Sequence, residues 1–124
     1  MSRDPVLFVE DDAISSLMHC THLRARGFKV ISAYSAAAAY ALMDRHPRLA
    51  ALVTDFDLGA GDNGLDIARR ARAIDQGVPV VFISGNANLQ SQTDLVRGSV
   101  LLAKPLYSEQ IVDALLATTG LAAA

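Results

Sequence analysis

Five short, mostly apolar runs recur along the chain, at residues 6–9, 28–33, 49–54, 78–83 and 99–103, and a helical pattern follows each of them. This alternation constrains the fold more than anything else in the sequence. Runs such as Val6-Leu7-Phe8-Val9, apolar at every position, suit strands covered on both faces. Regular strand–helix alternation implies a parallel sheet with helices on both sides and right-handed crossovers. The 124 residues are enough for one core, and no linker or change of composition suggests a second domain. The expectation is therefore an α/β chain of one domain spanning residues 1–124, with a doubly wound, five-stranded parallel sheet.

The intervening segments carry helix signals. Ile14, Leu17, Met18, Thr21 and Ala25 fall on one face of a first helix that Gly27 ends. That face is expected to be buried, with His19 and His22 at the surface or boundary. Ser35 caps an alanine-rich helix running to about Arg45 and ended by Pro47. Leu65, Ile67, Ala68, Ala71 and Ile74 give a third helix, ending near Gln76-Gly77. Residues 86–97 are polar, with a weak helical pattern around Leu89, Leu95 and Val96. Ser108 is expected to cap the last helix, whose apolar face holds Ile111, Val112 and Leu115.

Charged and polar groups stand where the strands end. Glu10-Asp11 follow the first, Asp55 the third, Ser84 the fourth and Lys104 the fifth. An acid at the end of a buried strand is costly unless its charge has a partner. In open α/β sheets, ligands bind at these carboxyl ends. If strands one, three, four and five are neighbours, the four groups converge. Adjacent carboxylates at Asp11 and Asp55 repel, which raises a pKa or demands a cation. A hard divalent ion with oxygen ligands, most simply Mg²⁺, meets that demand. Two carboxylates, a metal, an ammonium and a hydroxyl suit a phosphoryl group: metal and lysine neutralise its oxygens while a carboxylate attacks phosphorus.

On these residues the chain resembles the receiver domains of bacterial two-component response regulators. The matching pieces are Val6 to Asp12, Leu52-Val53-Thr54-Asp55 with Gly64 beyond, Val80 to Gly85, and Leu102-Ala103-Lys104-Pro105. The resemblance implies a flavodoxin-like fold with strand order 2-1-3-4-5. It implies Asp55 as phosphoacceptor, Asp11 as a direct Mg²⁺ ligand, Glu10 acting largely through water, and the backbone carbonyl of Asp57 completing the metal shell. Ser84 and Lys104 would hold phosphoryl oxygens. Asp57 and Asn86, each two residues past a site residue, would tune the lifetime of the phosphoryl group. The implied partner is a sensor histidine kinase or a histidine phosphotransfer protein, with a homodimer left open. The module would signal rather than turn over substrate, accepting and losing its own phosphoryl group.

The chain departs from the family at three places. Gly59 stands where the family carries a proline, and the turn from Asp55 to Gly64 is one residue longer. The stretch between Ser84 and Lys104 is short for a strand-to-strand crossover with a full helix. Leu101 occupies the aromatic switch position, and a leucine has no hydroxyl and sweeps a smaller volume.

Two rivals draw on the same residues. Gly59-Ala60-Gly61-Asp62-Asn63-Gly64 fits the dinucleotide fingerprint. It lies in the third strand–helix unit, however, and Asp55, Asp57 and Asp62 crowd the place of a pyrophosphate. Asp55-Phe56-Asp57 also looks like the D-x-D start of haloacid-dehalogenase-type phosphatases, with Asp57 as general acid. In that family the acidic pair comes late, whereas here Glu10-Asp11 comes first.

A net charge of −2 gives no electrostatic footprint for nucleic acid or an anionic membrane. No apolar run approaches the ~20 residues of a membrane span. Cys20 is the single cysteine, so no intrachain disulfide can form. The expected location is the cytoplasm.

Overall fold

A computed structural model describes residues 4–85 and 95–119. The strands are β1 (Val6–Val9), β2 (Val30–Ala33), β3 (Ala51–Asp55), β4 (Val80–Ser84) and β5 (Val100–Ala103). They form one sheet in the order β2-β1-β3-β4-β5, and every neighbouring pair is parallel. The fold is thus α/β, doubly wound and flavodoxin-like. The helices among the described residues are α1 (Ala13–Ala25), α2 (Ala36–Arg45), α3 (Gly64–Ile74) and α4 (Ser108–Thr119).

The period of two along each strand divides the core into two layers. Val6, Phe8, Val53, Val81 and Ile83 pack with Cys20, Leu23, Ile111, Val112 and Leu115, so α1 and α4 cover one side. Leu7, Val9, Leu52, Val80 and Phe82 pack with Ala39, Met43, Ile67, Ala68 and Ala71, so α2 and α3 cover the other. Strands buried on both faces have no polar position to spare, which is why their sequences are nearly all apolar.

The helix starts follow local chemistry. Asp12 caps α1, its Oδ1 accepting from the Ile14 N–H at 3.2 Å. Ser35 caps α2 by accepting from the Ala38 N–H at 3.1 Å. Asn63 and Asp66 form a reciprocal capping box at α3. Ser108 does not cap α4. It is the first helical residue, and the Tyr107 N–H before it is taken by Gln110 Oε1 at 2.7 Å. The Ser108 hydroxyl is instead engaged with His19 Nδ1 at 2.7 Å.

The buried face of α1 is the opposite of the one expected. Ile14, Leu17 and Met18 are 79, 66 and 55% exposed. Ser16, His19, Cys20 and Leu23 face the sheet. The connection from β1 is short and Asp12 fixes where the helix begins, so its rotation is set before side chains choose. The polar residues turned inward are satisfied: Ser16 Oγ lies 3.8 Å from Cys20 Sγ, and His19 packs its ring on Phe8 at 5.9 Å while bonding Ser108. His19 is therefore buried rather than peripheral. His22 is half-buried and binds Glu109 across to α4 at 2.7 Å.

The described part of the β4–β5 connection, residues 95–99, consists of bends and turns, with Leu95 buried and Val96 packed against the α2–α3 side. Residues 86–94, including Leu89, lie outside the described residues.

Candidate phosphoacceptor and metal site

Register brings the site together. Val9 pairs with Thr54, Asp55 with Ile83 and Ser84 with Ala103. Glu10, Asp55, Ser84 and Lys104 are each the last residue of a strand or the one beyond it, and the strands are neighbours. Backbone bonds pin these ends: the Glu10 N–H donates to Ala33, Phe56 to Ile83 and Lys104 to Ser84, at 2.8–3.1 Å. Asp55 and Ser84 are themselves the closing residues of β3 and β4 rather than loop residues, and both are buried. The Thr54 hydroxyl donates to the Asp55 carbonyl at 2.9 Å.

The Lys104 ammonium donates to Asp55 Oδ2 at 2.8 Å and lies 3.5 Å from Glu10 Oε1. Glu10, Asp11 and Asp55 each offer an oxygen, and the three lie within 4.8 Å of one another. Three carboxylates thus face one ammonium. The imbalance shows in Glu10, whose carboxyl is pushed up to about 7, first by burial and then by the hydrogen bond and charge of Asp55. Burial works against the Lys104 charge, but its bonds to Asp55 and Glu10 outweigh this and hold its ammonium above the usual range. Glu10 Oε2 is buried with no hydrogen-bond partner. An orphaned, buried carboxylate oxygen beside two more carboxylates fits a hard cation with oxygen ligands.

Gly64 shapes the site from outside. A Cβ on it would stand 2.4 Å from the Asp55 carbonyl oxygen and 2.9 Å from Phe56 Cα. Only glycine lets α3 start against the end of β3, where its N–H donates to Phe56 O at 2.8 Å. A cavity of about 390 Å³ opens beside Lys104 and Glu10, lined also by Met18, His19 and Leu106. His19 is held below the usual imidazole range, chiefly by burial and then by the Lys104 charge. Bonded to Ser108, it forms a wall of this cavity.

The structure gathers Glu10, Asp11, Asp55 and Lys104, with Ser84 adjacent in register. The Asp57 side chain is exposed and two residues past the strand, outside the carboxylate cluster. Leu101, at the switch position, is half-buried against the α2–α3 side. Asn86 lies outside the described residues. Sequence reasoning missed His19 as a cavity residue, because the contact with Ser108 that holds it joins positions 89 apart.

Comparison with known proteins shows the family. The family model for the response regulator receiver domain matches residues 6–116. The chain is 30% identical over 110 residues to the response regulator receiver protein CpdR of Brucella abortus, covering 87% of this chain and 90% of that protein. It is similar to the crystal structure of a response regulator receiver protein from Sinorhizobium medicae WSM419, with a TM-score of 0.87, 32% identity and 94% of each chain covered. It is also similar to the receiver domain of the hybrid histidine kinase CckA, with a TM-score of 0.79, 25% identity, and 93% of this chain and 98% of that one covered.

Proposed function

Since the chain belongs to the response regulator receiver domains, the signalling modules of two-component systems, we propose that Asp55 accepts a phosphoryl group in a Mg²⁺-dependent transfer. The observation that carries this reading is the juxtaposition of Asp55 with Lys104 and with the oxygens of Glu10 and Asp11. An Asp55 oxygen attacks phosphorus in line with the leaving group. The bond from phosphorus to the donor nitrogen or oxygen breaks, and an acyl phosphate forms. Lys104 leaves its pairing with Asp55 and takes a phosphoryl oxygen, and Ser84 takes another. Asp11 and Asp55 would ligate Mg²⁺ directly, Glu10 through water and Asp57 through its carbonyl. The ion supplies charge neutralisation at the phosphoryl oxygens. Water later cleaves the acyl phosphate, so the chain resets itself without turning over a substrate.

The donor in this reading is a sensor histidine kinase or histidine phosphotransfer protein. Met18 lines the cavity with Glu10 and Lys104, and Ile14 and Leu17 share its exposed helix face. These side chains offer such a partner an apolar footing beside the acceptor. Residues 1–124 are read as one receiver domain. No helix of the described residues is long and apolar enough to cross a membrane.

Intact-mass measurement after incubation with acetyl phosphate and Mg²⁺ tests the assignment. One adduct of ~80 Da is expected for a single added phosphoryl group. Asp55→Asn should abolish it, and Asp57→Asn should keep it with an altered lifetime. Labelling that persists in the Asp55 variant and vanishes in the Asp57 variant would identify Asp57 as the acceptor.

A further inference from the structure

The connection between β3 and α3 passes over the metal-binding side of the site. A Cβ on Gly59 would stand 4.0 Å from Asp11 Oδ2. Both Gly59 and Gly61 have positive φ, 78° and 92°, so this stretch contributes little stiffness of its own. Its downstream end is held by the Asn63–Asp66 capping box and its upstream end by buried Leu58. Between them, Asp62 Oδ2 accepts a 2.6 Å hydrogen bond from the Tyr40 hydroxyl of α2. The Tyr40 ring is held in turn by the Arg70 guanidinium of α3, 5.0 Å from its centroid. The phenol is pushed up to about 12, first by burial and then by the bond to Asp62, so it remains a donor at any physiological pH.

We propose that Tyr40 is a positioning residue for the phosphoryl-transfer site, tethering the glycine-rich β3–α3 loop through Asp62 so that the loop is already ordered beside Asp11 when the metal binds. A free loop would have to be ordered when the ion binds, at a cost in conformational entropy. The tether meets part of that cost beforehand, as preorganisation does elsewhere. The inference rests on the metal-dependent reading of the site given above.

The test is a double-mutant cycle on Mg²⁺ binding to the unphosphorylated protein, followed by calorimetry, with thermal unfolding of each variant measured alongside. Tyr40→Phe keeps the ring on Arg70 and removes only the tether. It should weaken Mg²⁺ about threefold, within the range of a single hydrogen bond. Asp62→Ala should weaken Mg²⁺ at least as much, since it also removes a charge. Adding Tyr40→Phe to Asp62→Ala should then change nothing further. Asp62→Asn keeps an acceptor, so in that background Tyr40→Phe should still cost affinity. A lowered melting temperature with unchanged Mg²⁺ affinity in Tyr40→Phe would reduce Tyr40 to a structural role and overturn the proposal. So would additive losses from Tyr40→Phe and Asp62→Ala. Failure of the wild-type chain to bind Mg²⁺ at all would bring down the reading of the site itself, and the tether with it.

Discussion

Replacing Gly64 by alanine places a methyl group 2.4 Å from the Asp55 carbonyl oxygen. Ordinary carbon–oxygen contact begins near 3.4 Å, so something must move by about 1 Å. The two candidates are the end of β3 and the start of α3. β3 is paired on both sides, to β1 and to β4, and the Phe56 N–H just beyond it still bonds Ile83. The start of α3 is held by one capping box and one bond to Phe56. The helix should therefore give way. Overpacking of this kind costs about 1–3 kcal/mol, partly offset by the ~0.4–1 kcal/mol that alanine contributes by restricting the unfolded chain. A net loss of about 1–2 kcal/mol corresponds to a melting temperature lower by roughly 4–8 °C for a chain of this size. Because Asp55 itself stays pinned, acetyl phosphate should still label it, at a rate within about tenfold of wild type; a 1 Å displacement of the acceptor could cost 10²-fold. Thermal unfolding and an intact-mass time course measure both. Wild-type stability would refute the close approach. A folded variant that cannot be labelled would show that the strand end, not the helix, yields.

Three further outcomes follow from the charges at the site. Asp11→Ala deletes one metal oxygen and relieves repulsion, so the chain should stay folded and lose most Mg²⁺ affinity by calorimetry; an unchanged titration would remove Asp11 from the metal shell. Lys104→Ala should still accept phosphate, at least tenfold more slowly, because one oxygen-binding donor is gone. It should show little phosphorylation-dependent change in its NMR spectrum, and a wild-type change would take Lys104 out of the switch. Glu10 has its folded value raised from 4.5 to about 7, so it stabilises the metal-free fold fully below pH 4.5 and that contribution fades as pH rises through 7. Urea unfolding in chelator should weaken between pH 5 and 8 by up to the order of 3 kcal/mol; Glu10→Gln should flatten this slope, and an equal slope in both proteins would mean that Glu10 is not its source.

Much of the site was legible because its logic is local and periodic. Apolar runs that end in Glu10-Asp11, Asp55, Ser84 and Lys104 mark strand ends directly, and alternation with helices dictates parallel strands. Neighbouring order then follows from the family resemblance. The face of α1 was not legible, since Ile14, Leu17 and Met18 obey the helical period but the rotation is set by Asp12 and the short turn before it. His19–Ser108 and Tyr40–Asp62 were equally hidden. Each is a polar pair made across elements, and no periodicity announces where a hydroxyl will find its partner.

The site draws on the ends of separate strands, and Lys104 meets Asp55 across 49 positions of sequence. No fragment of the sheet contains it. A chain emerging from the ribosome with β1, β2 and β3 complete would carry its acids but not its ammonium, which arrives only with β5. Parallel pairings of this kind form late, because long loops must close before they are rewarded. The charge balance of the site is thus complete only when the last strand is in place.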